Sequence, residues 1–93
     1  MKLEIEYLKK SEKFFLKNNN ILSKVDSTNL IIKAVKKLIL KENINIDIKK
    51  LKGNLSRYHR IRQGKVRILF ELINNKIIIK AIVMDIDFRG DVY

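Results

Sequence analysis

Residues 57–73 read RYHRIRQGKVRILFELI. Two runs in which apolar and polar residues alternate flank Gly64-Lys65, the pattern of a two-residue β-hairpin joining strands Arg57–Gln63 and Val66–Ile73. With Gly64 and Lys65 as the loop, Gln63 faces Val66, Arg62 faces Arg67, Ile61 faces Ile68, Arg60 faces Leu69 and His59 faces Phe70. The period of two then gives one face to His59, Ile61, Val66, Ile68 and Phe70, and the other to Tyr58, Arg60, Arg62 and Arg67. A slip by one residue would set Arg60 and Arg62 across from core residues, so the hydrophobic pattern itself selects this register.

Outward from the hairpin, Lys76–Met84 reads as a third strand reached through an Asn74-Asn75 turn, which sets Ala81 beside Ile68 on the buried face and Lys80 beside Leu69 on the charged one. Upstream, Ile46, Ile48 and Leu51 suggest a short extended piece ending at Leu51-Lys52-Gly53. Residues 2–7 alternate Leu3, Ile5 and Tyr7 with polar neighbours, as a half-buried strand does. Leu8 to Leu16 carries Phe14 and Phe15 among lysines and predicts a first helix that stops at the asparagine run Asn18–Asn20. Asp26 or Ser27 caps a second helix, with Ile31, Val35 and Leu38 on its apolar side and Lys33, Lys36, Lys37 and Lys41 on the other. The expected architecture is α+β: an N-terminal strand, two helices, then an antiparallel β-meander with the helices packed on one face of the sheet. With no proline, three glycines and no internal repeat, residues 1–93 are expected to form one domain.

Composition narrows the chemistry. Ninety-three residues with 46% hydrophobic content close one core. There is no cysteine and one histidine, so disulfides, thiolate catalysis and a cysteine-ligated metal are excluded, and no cofactor is expected. No apolar run approaches the roughly 18 residues that span a bilayer, and the start MKLEIEY lacks the layout of a secretion signal, which points to the cytoplasm. The net charge of +11 predicts attraction to a polyanion, nucleic acid ahead of an anionic membrane. Lysine is spread along the chain as solvated surface, but all five arginines, Arg57, Arg60, Arg62, Arg67 and Arg89, follow residue 56. Arginine grips phosphate bidentately and keeps its charge, so this concentration is the sharper signal.

Arg62 directly across from Arg67 is a like-charge pair, destabilising unless an anion or a carboxylate satisfies it. Two readings follow: a phosphate site, or ion pairing with Glu71, Asp85 or Asp87. Tyr58 on the same face either stacks a base or packs. His59 is the one side chain titrating near neutrality, but its parity puts it on the helix-covered face as a structural histidine. Asp85, Asp87 and Asp91 read as magnesium ligands or as partners of Arg89.

The stretch LKGNLSRYHRIRQGKVRILFEL and the closing FRGDVY resemble the RelE/ParE superfamily of toxin-antitoxin toxins. The shared pattern is a leucine-x-glycine, a tyrosine, alternating basic residues, a hairpin glycine, an arginine on the next strand and a closing arginine-x-acidic-aliphatic-tyrosine. The resemblance implies a ribosome-dependent endoribonuclease that cuts mRNA in the A site and is held inactive by a RelB-like antitoxin in a hetero-oligomer. Carried over by position, it assigns Arg60, Arg67, Arg89 and Tyr93 to catalysis and Arg62 to RNA binding; Tyr58 and Lys80, placed on the same charged face by the strand parity, and Lys52 are further RNA-binding candidates. Phe88 stands where many relatives have histidine, and Arg60 where some have lysine, so two groups able to exchange a proton are replaced. The expected mechanism is in-line attack by the 2′-OH with arginine stabilisation of the added charge, because arginine is no practical base. The same resemblance also admits a ParE-like inhibitor of DNA gyrase without nuclease chemistry, and the composition alone admits a plain RNA-binding module. The net charge separately favours an acidic, partly disordered partner segment.

Overall fold

A computed structural model describes residues 2–74 and 78–88. The elements run β1 (Lys2–Tyr7), α1 (Lys9–Asn18), α2 (Lys24–Leu38), β2 (Asp47–Lys50), a single 3₁₀ turn at Gly53–Leu55, β3 (Tyr58–Gln63), β4 (Val66–Asn74) and β5 (Ile78–Phe88). They build a five-stranded sheet in the order β1-β5-β4-β3-β2, the α+β arrangement expected from the alternating runs. The sheet is mixed, however: β1 pairs with β5 in parallel, Leu3 with Ile79, Ile5 with Ala81 and Tyr7 with Val83. Alternation tells which face a residue takes but not which strand lies beside it. The two helices carry the chain from β1 to the far edge of the sheet, from which β2, β3 and β4 lead back to β5.

The β3–β4 hairpin has the expected register throughout, from Gln63 opposite Val66 to His59 opposite Phe70. Gly64 sits at φ 57°, the left-handed region that glycine adopts without a steric penalty. As the first central residue of a two-residue loop, it is where a type II′ turn asks for glycine. The second hairpin departs from expectation. Asn74 belongs to β4 and pairs with Ile79, so Lys80 lies opposite Ile73 and Ala81 opposite Leu72, not opposite Leu69 and Ile68. A register shift between Leu69 and Phe70, which face Asp85 and Val83, leaves Met84 as an extra residue in β5. That bulge carries β5 on to Phe88, four residues past the expected end of the strand at Met84.

One hydrophobic cluster joins Phe14 and Phe15 of α1 and Leu30, Ile31, Ala34 and Val35 of α2 to Ile61, Val66, Ile68, Phe70, Ile79, Ala81, Val83 and Ile86 of the sheet. The start of α2 lies earlier than Asp26 or Ser27 would place it. Ser23 is the N-cap: its hydroxyl accepts from the Asp26 N–H at 3.1 Å, while the Asp26 carboxylate accepts from the Ser23 N–H at 3.5 Å. Ser27 is instead fully buried and accepts a hydrogen bond from the Tyr7 hydroxyl. At the β1–α1 corner the Leu8 N–H and the Ser11 hydroxyl both donate to the Val83 carbonyl, each at 3.0 Å, pinning the chain against β5 just before its bulge.

His59 takes the helix side of the sheet, as its parity predicts, and stacks on Phe70 with ring centroids 5.6 Å apart. Its Nδ1 is buried without a hydrogen-bond partner among the described residues. Burial, and then the ammonium of its cross-strand neighbour Lys50, lower its pKa below the ordinary 6.5. The unfolded chain therefore binds a proton that the folded chain resists, and this part of the stability is present above about pH 6.5 and is lost as pH falls through the folded pKa. Denaturant midpoints measured on either side of that window should fall on acidification in the native chain and fall less in His59→Gln. An NMR titration of this single histidine at or above 6.5 would contradict the assignment. Phe70 is fully buried at the centre of the cluster, and Phe70→Ala should lower unfolding stability by ~3–5 kcal/mol in urea denaturation.

Candidate nucleic-acid interface

Residues paired across strands share a face, so the register maps the side of the sheet opposite the helices. Asp47 and Lys49 of β2 lie beside Arg62 and Arg60 of β3. Arg62 then meets Arg67 of β4, Arg60 meets Leu69, and Tyr58 meets Glu71. Across the next boundary Arg67 meets Asp87 and Leu69 meets Asp85 of β5. The β3–β4 hairpin thus brings Arg60, Arg62 and Arg67 together on this open face.

Each arginine is held differently. Arg67 makes a two-point ion pair with Asp87, Nε donating to Oδ1 at 3.0 Å and Nη2 to Oδ2 at 2.7 Å. Both side chains are largely sheltered, which fixes the guanidinium plane. Arg60 is 6% exposed, unusually deep for arginine, and its Nη1 stands 3.5 Å from the Asp47 carboxylate. That contact is an ion pair by distance but lacks hydrogen-bond geometry, and among the described residues Nη1 has no hydrogen-bond partner. The buried Nε of Arg62 likewise has none. Of the expected carboxylate partners Asp87 pairs with Arg67, whereas Arg60 approaches Asp47, and among the described residues Arg60 Nη1 and Arg62 Nε have no hydrogen-bond partner.

The other expected residues scatter. Lys80 is displaced with the β5 register: six residues separate its partner Ile73 from Arg67, roughly 20 Å along the strand, and it pairs with Glu6 at 3.2 Å instead. Lys52 is exposed and precedes the 3₁₀ turn. Tyr58 is half-buried at the start of β3, with the Arg57 guanidinium 6.0 Å from its ring centroid. Arg89 and Tyr93, and with them Asp91, lie outside the described residues. His59 is on the opposite face and takes no part. The residue that sequence reasoning passed over is Asp47, which the short β2 edge strand sets opposite Arg62 and whose carboxylate approaches Arg60. Its alternation with Ile46 and Ile48 was the available signal.

Among the described residues no group of three acids and histidines converges as a metal site. None of their helices is long and apolar enough to cross a membrane.

No protein-family model matches the sequence, and no curated protein resembles it closely enough to match. Solved structures do. The YoeB/ParE toxin from Agrobacterium tumefaciens is 16% identical, with 92% of this chain and 98% of that chain covered at a TM-score of 0.66. The RelBE2 toxin-antitoxin complex from Mycobacterium tuberculosis contributes a chain that is 12% identical, with 96% and 100% covered and a TM-score of 0.67. The YoeB dimer from Staphylococcus aureus is 20% identical, with 96% and 99% covered and a TM-score of 0.64. Correspondence over nearly the full length of both chains means that this sequence adopts the RelE/ParE toxin fold.

Proposed function

We propose that the chain, acting as one RelE-like toxin domain over residues 1–93, is the toxin of a type II toxin-antitoxin system and cuts mRNA in the ribosomal A site. The observation that carries this reading is the pair of buried guanidinium N–H groups, Arg60 Nη1 and Arg62 Nε, left without acceptors beside the Arg62–Arg67 pair. A buried donor without a partner costs about 1–3 kcal/mol. A phosphodiester on this face supplies the missing oxygens and relieves the like-charge contact.

In the proposed reaction the ribose 2′-oxygen forms a bond to the adjacent phosphorus while the bond from phosphorus to the 5′-oxygen breaks, leaving a 2′,3′-cyclic phosphate and a 5′-hydroxyl. Arg60 and Arg67 stabilise the charge that builds on the phosphoryl oxygens, and Arg62 positions the backbone. Asp47, beside both Arg60 and Arg62 and 57% exposed in its side chain, receives the 2′-OH proton, a role that no arginine can fill. Arg89 or Tyr93 assists the leaving oxygen. The ribosome imposes the in-line geometry by holding the strand against the sheet.

The partner proposed with this activity is a RelB-like antitoxin, an acidic segment that covers the basic face in a hetero-oligomer. The structural relative from Mycobacterium tuberculosis is itself a toxin-antitoxin complex, which supports this partner. Both the ribosome and the antitoxin place the protein in the cytoplasm.

Arg62→Ala and Arg67→Ala should each lower ribosome-dependent mRNA cleavage by roughly 10²–10³-fold while far-ultraviolet circular dichroism stays that of the native chain. Near-normal cleavage by both variants would sink the nuclease reading. DNA damage with intact mRNA after induction would move the assignment to gyrase inhibition.

A further inference from the structure

Next to the arginine cluster the open face dips into a groove of about 420 Å³ that the proposed chemistry does not use. Leu8, Tyr58, Leu69 and Met84 give it an apolar and aromatic lining, and Lys9, Lys10 and Asp85 are its charged members. The volume is within the range of sites that take a small organic ligand. The β5 bulge makes the groove: the extra residue at Met84 puts that side chain and Asp85 side by side beyond the end of β1. There the α1 N-terminus, tied to Val83 through Leu8 and Ser11, closes the edge with its two lysines.

We infer that this groove takes one unstacked base of the RNA strand whose phosphates lie on Arg60 and Arg62. The inference rests on reading the arginine cluster as an RNA phosphate site. Three features select a base over another occupant. An aromatic ring, a thioether and a leucine give a lining suited to a flat, polarisable π-system. The Asp85 carboxylate, 3.9 Å from Lys10, disfavours a phosphate inside the groove, while Lys9 and Lys10 offer charge to a phosphate just outside it. Finally, Tyr58 precedes Arg60 by two residues on the same face, about 7 Å along β3, and Leu69 is the cross-strand partner of Arg60. A base on Tyr58 is thus about one nucleotide removed from a phosphate on Arg60. The strand would run obliquely from the β3 arginines towards the start of α1.

The test is equilibrium binding of short single-stranded RNAs in which one position at a time is an abasic ribose, measured by fluorescence anisotropy at low salt. One abasic position should weaken binding to the native chain by roughly 5- to 100-fold. In Tyr58→Ala that penalty should vanish, with the intact strand bound as weakly as the abasic one, and Tyr58→Phe should restore it. Met84→Asp, at a half-buried surface position, should act like Tyr58→Ala and serves if that variant does not fold. Arg62→Ala should weaken binding to all the RNAs alike and lessen its salt dependence. Binding that depends on Arg62 but is indifferent to every abasic position overturns the groove and leaves the phosphate site standing. An abasic penalty that persists in folded Tyr58→Ala and Met84→Asp overturns it as well. A native chain that binds none of the RNAs overturns both readings. Crosslinking from a photoreactive residue at position 84 to a protein and not to RNA assigns the groove to a protein partner and overturns the base.

Discussion

The β3–β4 register is the constraint from which both faces of the sheet follow. Gly64 at φ 57° closes the loop in two residues, and the pairing it enforces sends Ile61, Val66, Ile68 and Phe70 to the helices and Arg60, Arg62 and Arg67 to the other side. A shift of β3 by one residue would turn Arg60 and Arg62 towards the helices and expose Ile61. Core and charged surface are therefore selected together: the burial that favours this register is also what forces two like charges into direct opposition.

That coupling explains which parts were legible in the sequence. In β3 and β4 strict alternation leaves one register that buries apolar residues, and the observed one matches it. The segment from Lys76 to Met84 has a nearly continuous apolar run on either side of Lys80, so several registers bury comparable surface and alternation does not choose among them. The four-residue displacement and the bulge at Met84 come instead from tertiary contacts: β1 lying alongside, and the α1 corner anchored on the Val83 carbonyl. The parallel partnership of β1 with β5 was hidden for the same reason, since it joins residues more than 70 positions apart.

The candidate site divides along similar lines. The arginine cluster needed only the hairpin and was visible. Lys80 depended on the second register and moved away with it. Asp47 lies on a four-residue edge strand whose sequence signal is faint, and its value comes from the strand beside it, not from its own neighbours. The Arg67–Asp87 pair joins β4 to the final part of β5, which exists as strand only because the bulge lets the ladder resume beyond Leu69.

These carboxylates change what the arginine cluster is. Three cations on neighbouring strands repel one another, and a bare cluster would both destabilise the sheet and leave long side chains free to wander. Asp87 holds Arg67 by two hydrogen bonds, and burial holds Arg60 beside Asp47, so side-chain entropy of about 2 kcal/mol per arginine is largely lost on folding rather than on binding. Asp47 and Asp87 offset two of the three arginine charges, and among the described residues Arg60 Nη1 and Arg62 Nε have no hydrogen-bond partner. One phosphodiester carries one negative charge and two free oxygens. On the function proposed above, these groups suit a single backbone phosphate held in a fixed place, whereas the lysine-rich remainder of the surface would attract any polyanion. In that proposal the net charge would bring nucleic acid to the protein, and the hairpin would determine where one phosphate settles.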